Sequence, residues 1–164
     1  MVSSWLLDGV WNAAEVRDEH RSRAIGPSLD HTEWREIHIP GHWADIDPPL
    51  TKNGPLTYRT TVNNDPTPDG QRRWLKFDGI SYQADVWLDG AYLGDTEGYF
   101  APHTFDVTEL WRLSDTHVIA VEVHCPPTEP GPRRAITGVL QDPSGPNTPN
   151  PGGIWRSVHL VDTG

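Results

Sequence analysis

The sequence predicts an all-β sandwich forming one domain over residues 1–164, with its core between about residues 7 and 161. Three observations carry that prediction. Apolar and β-branched residues recur with a period of two in short runs bounded by Gly, Pro and Asp, the signature of strands at close spacing. The chain holds 15 Gly and 16 Pro, which makes it loop-rich while staying below the roughly 25–30% share typical of disordered chains. Eight Trp, four Tyr and three Phe bring the large apolar surfaces that a core needs. The 164 residues also fall well short of the ~250 of a (β/α)₈ barrel.

Taken in order, Asp8-Gly9-Val10-Trp11 reads as a strand, and Asn12 to Arg23 as a helix candidate behind it. Leu56–Val62 alternates and is rich in β-branched and aromatic residues, and Arg73–Phe77 is a further strand. Ala84–Gly94 reads as a hairpin, because Asp89-Gly90 suits the positive φ values of a tight type I′ turn. Asp106 to Trp111 fits one or two helical turns, with Asp106 as N-cap and Glu109 at capping-box spacing. His117–His124 alternates for eight residues with Ile119, Val121 and Val123 toward the core, and Ile154–Val161 closes the chain as a last strand. Eight of the 16 prolines lie between Pro126 and Pro151. Proline removes a ladder donor, so this segment is a loop. Loops of about thirty residues are uncommon in compact domains unless they carry function.

Charge and motif content narrow the chemistry. The net charge is −10, and the basic residues are scattered, with Arg17, Arg21 and Arg23 interleaved with Asp18 and Glu19. Nucleic-acid binding needs a basic stripe to displace counterions, so that partner is not expected. The single cysteine, Cys125, forms no internal disulfide, builds no thiolate zinc site, and reads as a small buried hydrophobe. The N-terminus shows no basic and apolar leader and no run approaches 18 apolar residues, so the expectation is a cytoplasmic protein without membrane contact.

No G-x-S-x-G elbow, P-loop or dinucleotide fingerprint occurs. His38 and His42 are four apart, but Pro40-Gly41 between them breaks any helix that would align them. His117, His124 and His159 lie on strands without a partner at ligand spacing, so no metal site is expected. A structural Ca²⁺ or Na⁺ held by loop carbonyls stays open. With 23 acidic residues, spacing alone singles out no catalytic carboxylate pair. Catalytic residues and cofactors are therefore not expected. The aromatics remain: Trp87 and Trp155 read as core, whereas Trp43 and Tyr99 fall in loops, where flat rings can stack on the C–H faces of sugars.

An ordered set of motifs spans nearly the whole chain, from about Leu7 to Val161. Ile39-Pro40-Gly41-His42-Trp43 is followed by Tyr58-Arg59-Thr60-Thr61-Val62, then by the run from Phe77-Asp78-Gly79 through Ser81-Tyr82 to Trp87-Leu88-Asp89-Gly90. Leu93-Gly94, Gly98-Tyr99-Phe100-Ala101-Pro102 through Thr108, and Gly152-Gly153-Ile154-Trp155-Arg156-Ser157-Val158 complete it. This set resembles the N-terminal sugar-binding domain of glycoside hydrolase family 2, the β-galactosidase, β-glucuronidase and β-mannosidase group.

The resemblance implies a jelly-roll β-sandwich of the galactose-binding-domain-like type. It also implies carbohydrate as ligand, and downstream immunoglobulin-like and (β/α)₈ barrel domains as partners, with both catalytic glutamates in the barrel. This domain would then complete the rim of the active site through two loops. One follows Phe77-Asp78-Gly79, where galactosidase-like members carry Asn and this chain has Ser81, next to Tyr82. That departure weighs against galactose-type recognition. The other precedes Gly153-Ile154, where a sugar-facing Asp of the family aligns with Asn147, or with Asp142 or Asn150 if gaps intervene. The competing readings are a free-standing carbohydrate-binding module and a structural docking or oligomerisation domain.

Overall fold

The computed structural model describes residues 2–27, 33–51, 54–63, 65–125 and 150–164. Among these residues, ten strands form two antiparallel sheets. One has four strands, in the order β1 (Val2–Leu6), β10 (Val158–Thr163), β5 (Arg72–Phe77), β8 (His103–Asp106). The other has six, in the order β3 (Arg35–Ile39), β2 (Gly9–Ala14), β4 (Leu56–Asn63), β9 (Thr116–His124), β6 (Gln83–Leu88), β7 (Ala91–Glu97). The all-β sandwich expected from the alternating runs is thus present.

The core lies between the sheets and follows the period-two rule. Leu56 and Tyr58 of β4, Ile119, Val121 and Val123 of β9, and Ala84, Val86 and Leu88 of β6 point inward from the larger sheet. Leu75, Phe77, Val158 and Leu160 answer from the smaller one. The other face of β9 is covered too, because residues from the 15–27 stretch lie against it and its neighbour β4. Arg59 donates to the carbonyl of Gly26 at 2.9 Å, and Arg21 reaches Glu122 at 2.9 Å. Strand β9 is therefore central and nearly all buried.

The β6–β7 hairpin turns on Asp89 and Gly90 with φ of 51° and 84°, the left-handed pair that a type I′ turn demands. The Asp89 carboxylate then accepts from the Val118 amide at 2.7 Å and faces Nδ1 of the buried His117 at 2.6 Å.

Four local expectations need correction. The Asn12–Arg23 helix is displaced by β2, which runs on to Ala14; helical backbone is limited to a 3₁₀ turn at Asp18–His20 and α1 at Arg21–Ala24. The capping box at Asp106 is half formed. Its carboxylate accepts from the amide and hydroxyl of Thr108 at the start of α2 (Thr108–Trp111), but Glu109 pairs with Arg112 instead of reaching back. The last strand begins at Val158, not Ile154, because the backbone of residues 152–157 bonds to two loops instead of a strand. Trp43, read as a loop residue, is wholly buried, and Trp155, read as core, is only half-buried. The sheets also take in residues on both sides of the 7–161 span, through β1 and the end of β10.

Candidate functional site

One end of the sandwich is built by loops that converge on residues 150–157. Ser81 and Gly153 exchange two backbone hydrogen bonds, each 2.9 Å long. The amides of Gly41 and Trp43 donate to the carbonyls of Ile154 and Gly152, both at 2.9 Å. Asp78 donates its amide to Ser157 at 3.0 Å. The segment is thereby fastened to the loop after β3 and to the loop between β5 and β6.

Two glycines make this approach possible. A Cβ at Gly152 would lie 2.1 Å from Cζ2 of the buried Trp43 ring. Gly153 has φ +131°, and a Cβ there would meet the Tyr58 hydroxyl at 2.9 Å and the Gly41 carbonyl at 3.0 Å. A side chain at either position would push the segment off the loops beneath it.

Side chains complete the fastening. Asn150 is buried, donates Nδ2 to the Cys125 carbonyl at 2.7 Å and accepts the Gly152 amide on Oδ1 at 2.9 Å. Cys125 and Asn150 are the described residues on either side of 126–149, so the two points of departure of that segment are tied together. His42 donates Nδ1–H to the Pro151 carbonyl at 2.8 Å, which leaves Nε2 as acceptor for the Tyr99 hydroxyl at 3.4 Å. Cys125 itself is buried, its thiol 3.8 Å from the Ser81 hydroxyl. Burial pushes that thiol up, against a smaller opposing effect of the Ser81 hydrogen bond, and a buried thiol kept protonated is a poor nucleophile.

The candidate sugar-contacting residues thus separate. Ser81 is fully buried, and its backbone holds Gly153. Tyr82 is half-buried, packs against the core, and binds His124 and Gly98 through its backbone. Asn150 spends its amide on the Cys125 and Gly152 backbone. These three come together at one end of the sandwich, with Ser81 and Asn150 directed inward as fasteners. Asp142 and Asn147 lie outside the described residues.

Sequence reasoning missed an aromatic and cationic group beside this end. Trp155 donates Nε1–H to the Tyr99 carbonyl at 2.9 Å and stacks on the Tyr99 ring at 4.4 Å. The Arg156 guanidinium sits 4.5 Å from the centre of the Trp155 ring. Both rest on Gly79, where a Cβ would come within 3.0 Å of Trp155 Nε1 and 3.1 Å of Arg156 Cδ. The signal was in the motifs: Gly79 and Trp155-Arg156 belong to one contact. An open cleft of about 400 Å³ runs beside them, lined also by Phe100, Lys76 and Asp78.

A second polar cluster lies on the outer face of the larger sheet. The ligand atoms of Asp85, Glu122 and His124 lie within 4.8 Å of one another, and among the described residues no other such group of metal-ligating side chains occurs. Its charges already have protein partners. Glu122 accepts from Arg21 at 2.9 Å and faces His124 at 3.0 Å, while Asp85 accepts from the Tyr92 hydroxyl at 2.9 Å. That hydrogen bond pushes the Tyr92 phenol up to about 12.

Two antiparallel sheets around one core, closed at one end by a fastened loop cluster, define a galactose-binding-like β-sandwich. The family model for the glycosyl hydrolase 2 galactose-binding domain-like group matches residues 45–152, more than half of the chain. The protein belongs to this family.

It is 26% identical over 182 aligned residues to a beta-galactosidase of Priestia megaterium, covering 96% of this chain and 16% of that relative. It is 25% identical over 165 residues to a beta-glucuronidase of Bacteroides fragilis, covering 96% of this chain and 20% of the other. Among solved structures, the beta-glucuronidase of Ruminococcus gnavus superposes with a TM-score of 0.72 at 17% identity, over 98% of this chain and 28% of that one. The beta-glucuronidase of Bacteroides uniformis gives 0.69 at 22% identity, over 99% and 18%. At these identities the structural likenesses show the fold. The chain spans no more than a fifth of the length of these two curated relatives, and it aligns with a small, non-catalytic part of large glycosidases.

Proposed function

We propose that this protein acts as the rim-forming sandwich of a retaining glycoside hydrolase, next to an immunoglobulin-like domain and a (β/α)₈ barrel. In this reading the barrel supplies both carboxylates, about 5–5.5 Å apart for a retaining mechanism. The sandwich contributes polar groups that orient the terminal sugar.

The observation that carries the reading is the Asn150–Cys125 bond. It ties the two ends of the segment holding Asp142 and Asn147 to the loop cluster around Ser81. Positioning of this kind costs little at the moment of reaction, because the flanking backbone is already fixed. The test is to express residues 1–164 together with their native downstream sequence and assay a panel of aryl β-glycosides. Hydrolysis of at least one, weakened by Asn147→Ala with folding intact, is the expected result. An Asn147→Ala enzyme of full activity would remove that residue from the site.

A further inference from the structure

The cleft beside Phe100, Trp155 and Arg156 has a chemistry that the rim reading does not use. Arg156 is exposed, yet its guanidinium is packed on aromatic rings, lying 4.5 Å from the Trp155 ring centre and 6.0 Å from that of Phe100. Trp155 is in turn locked by its bond to the Tyr99 carbonyl and by the Tyr99 ring. A guanidinium stacked in this way keeps its in-plane N–H donors available and has little rotamer freedom left to lose on binding.

Among the described residues no carboxylate lies within ion-pair distance of Arg156. Asp78, the one acid among the described residues that line the cleft, is already engaged by Lys76 at 2.9 Å and by His159 at 2.7 Å. Arg156 and Lys76 therefore outnumber Asp78 and make a small positive island on a chain of net charge −10. Phe100 is 57% exposed and adds a flat apolar wall at its edge.

These features fit an anionic sugar. A planar fork of donors holds a carboxylate bidentately, as it does a phosphate, and an exposed ring offers a surface for a flat C–H face close to it. A hexuronate combines both, its carboxylate one bond from a pyranose ring. We propose that this cleft is a carboxylate-recognition site for a uronic acid or a uronate-ended saccharide, with Arg156 binding the carboxylate and Phe100 the sugar face. The proposal needs only this chain and is independent of the rim reading.

The test titrates the 164-residue chain with D-glucuronate, D-glucose and acetate, following the Trp155 indole N–H by NMR, assigned by its loss in Trp155→Phe. Glucuronate is expected to move that signal saturably in the millimolar range, with glucose and acetate each roughly tenfold weaker or more. Arg156→Met should abolish the response, and Phe100→Ala should reduce glucuronate to the level of acetate. Both positions are exposed, and the other indole signals report that the fold is kept. Acetate matching glucuronate, glucose matching glucuronate, no shift at all, or a shift unchanged in Arg156→Met would each overturn the proposal.

Discussion

Arg73 and Asp162 face each other across β5 and β10 with both side chains buried, the arginine Nε and Nη2 donating to the two carboxylate oxygens at 2.7 and 2.8 Å. The guanidinium carbon also lies 5.2 Å from the Trp5 ring centre and 5.3 Å from that of Trp111. Removing one partner leaves the other charged and desolvated. Asp162→Asn or Arg73→Met should each lower unfolding free energy by about 3–5 kcal/mol, measured by urea denaturation at neutral pH. A double replacement by apolar residues should recover much of that loss, because the desolvation cost goes with the pair.

Much of this fold was legible because local chemistry and tertiary packing agree. Leu56–Val62, Arg73–Phe77 and His117–His124 alternate, and each pairs in a sheet. Asp89-Gly90 was readable because its turn needs left-handed backbone at both positions. The strands β1, β3 and β8, which are edges among the described residues, were missed because exposed residues blur their alternation. Ile154–Ser157 misled for another reason: its apolar pattern matches a strand, but its partners are loops, and loop pairing leaves no periodic trace. The same limit applies to the candidate site. Motif matching found Ser81 and Asn150 as positions, whereas their inward direction depends on Cys125, which is distant from Ser81 in sequence.

Gly152 should tolerate no side chain. A methyl group at Gly152 would overlap the Trp43 ring, which is wholly buried and has no room to withdraw. Gly152→Ala should destabilise the domain by about 1–3 kcal/mol through overpacking and alter the Trp43 contribution to fluorescence. Thermal melts followed by tryptophan emission check this, and an unchanged midpoint would show that the 150–153 segment is free to shift.

Stability should depend on pH through His124. Its hydrogen bond to Glu122, at 3.0 Å, holds the imidazolium and raises its pKa above the ordinary value, against the opposing effect of partial burial. A His whose folded pKa is raised contributes stability that is complete below its unfolded pKa of about 6.5 and is lost as pH rises through the folded value. Urea midpoints measured across this range should therefore fall toward alkaline pH. His124→Gln should flatten that part of the profile, and an identical slope in the variant would assign it to other groups.

Asn150 distinguishes fastening from ligand contact. Its amide satisfies the Cys125 carbonyl and the Gly152 amide together, and both backbone groups would be left unpaired in Asn150→Ala. Unsatisfied buried groups cost about 1–3 kcal/mol, so this variant should unfold at lower urea concentration. Asn150→Asp keeps an acceptor for Gly152 but sets a carboxylate oxygen against the Cys125 carbonyl, and it should be no better than alanine. If Asn150 instead served mainly to touch sugar, both variants would melt like the parent and lose only binding. Melting curves for the two variants, run beside Asn147→Ala, separate these outcomes: the Asn150 changes should cost stability and the Asn147 change should not.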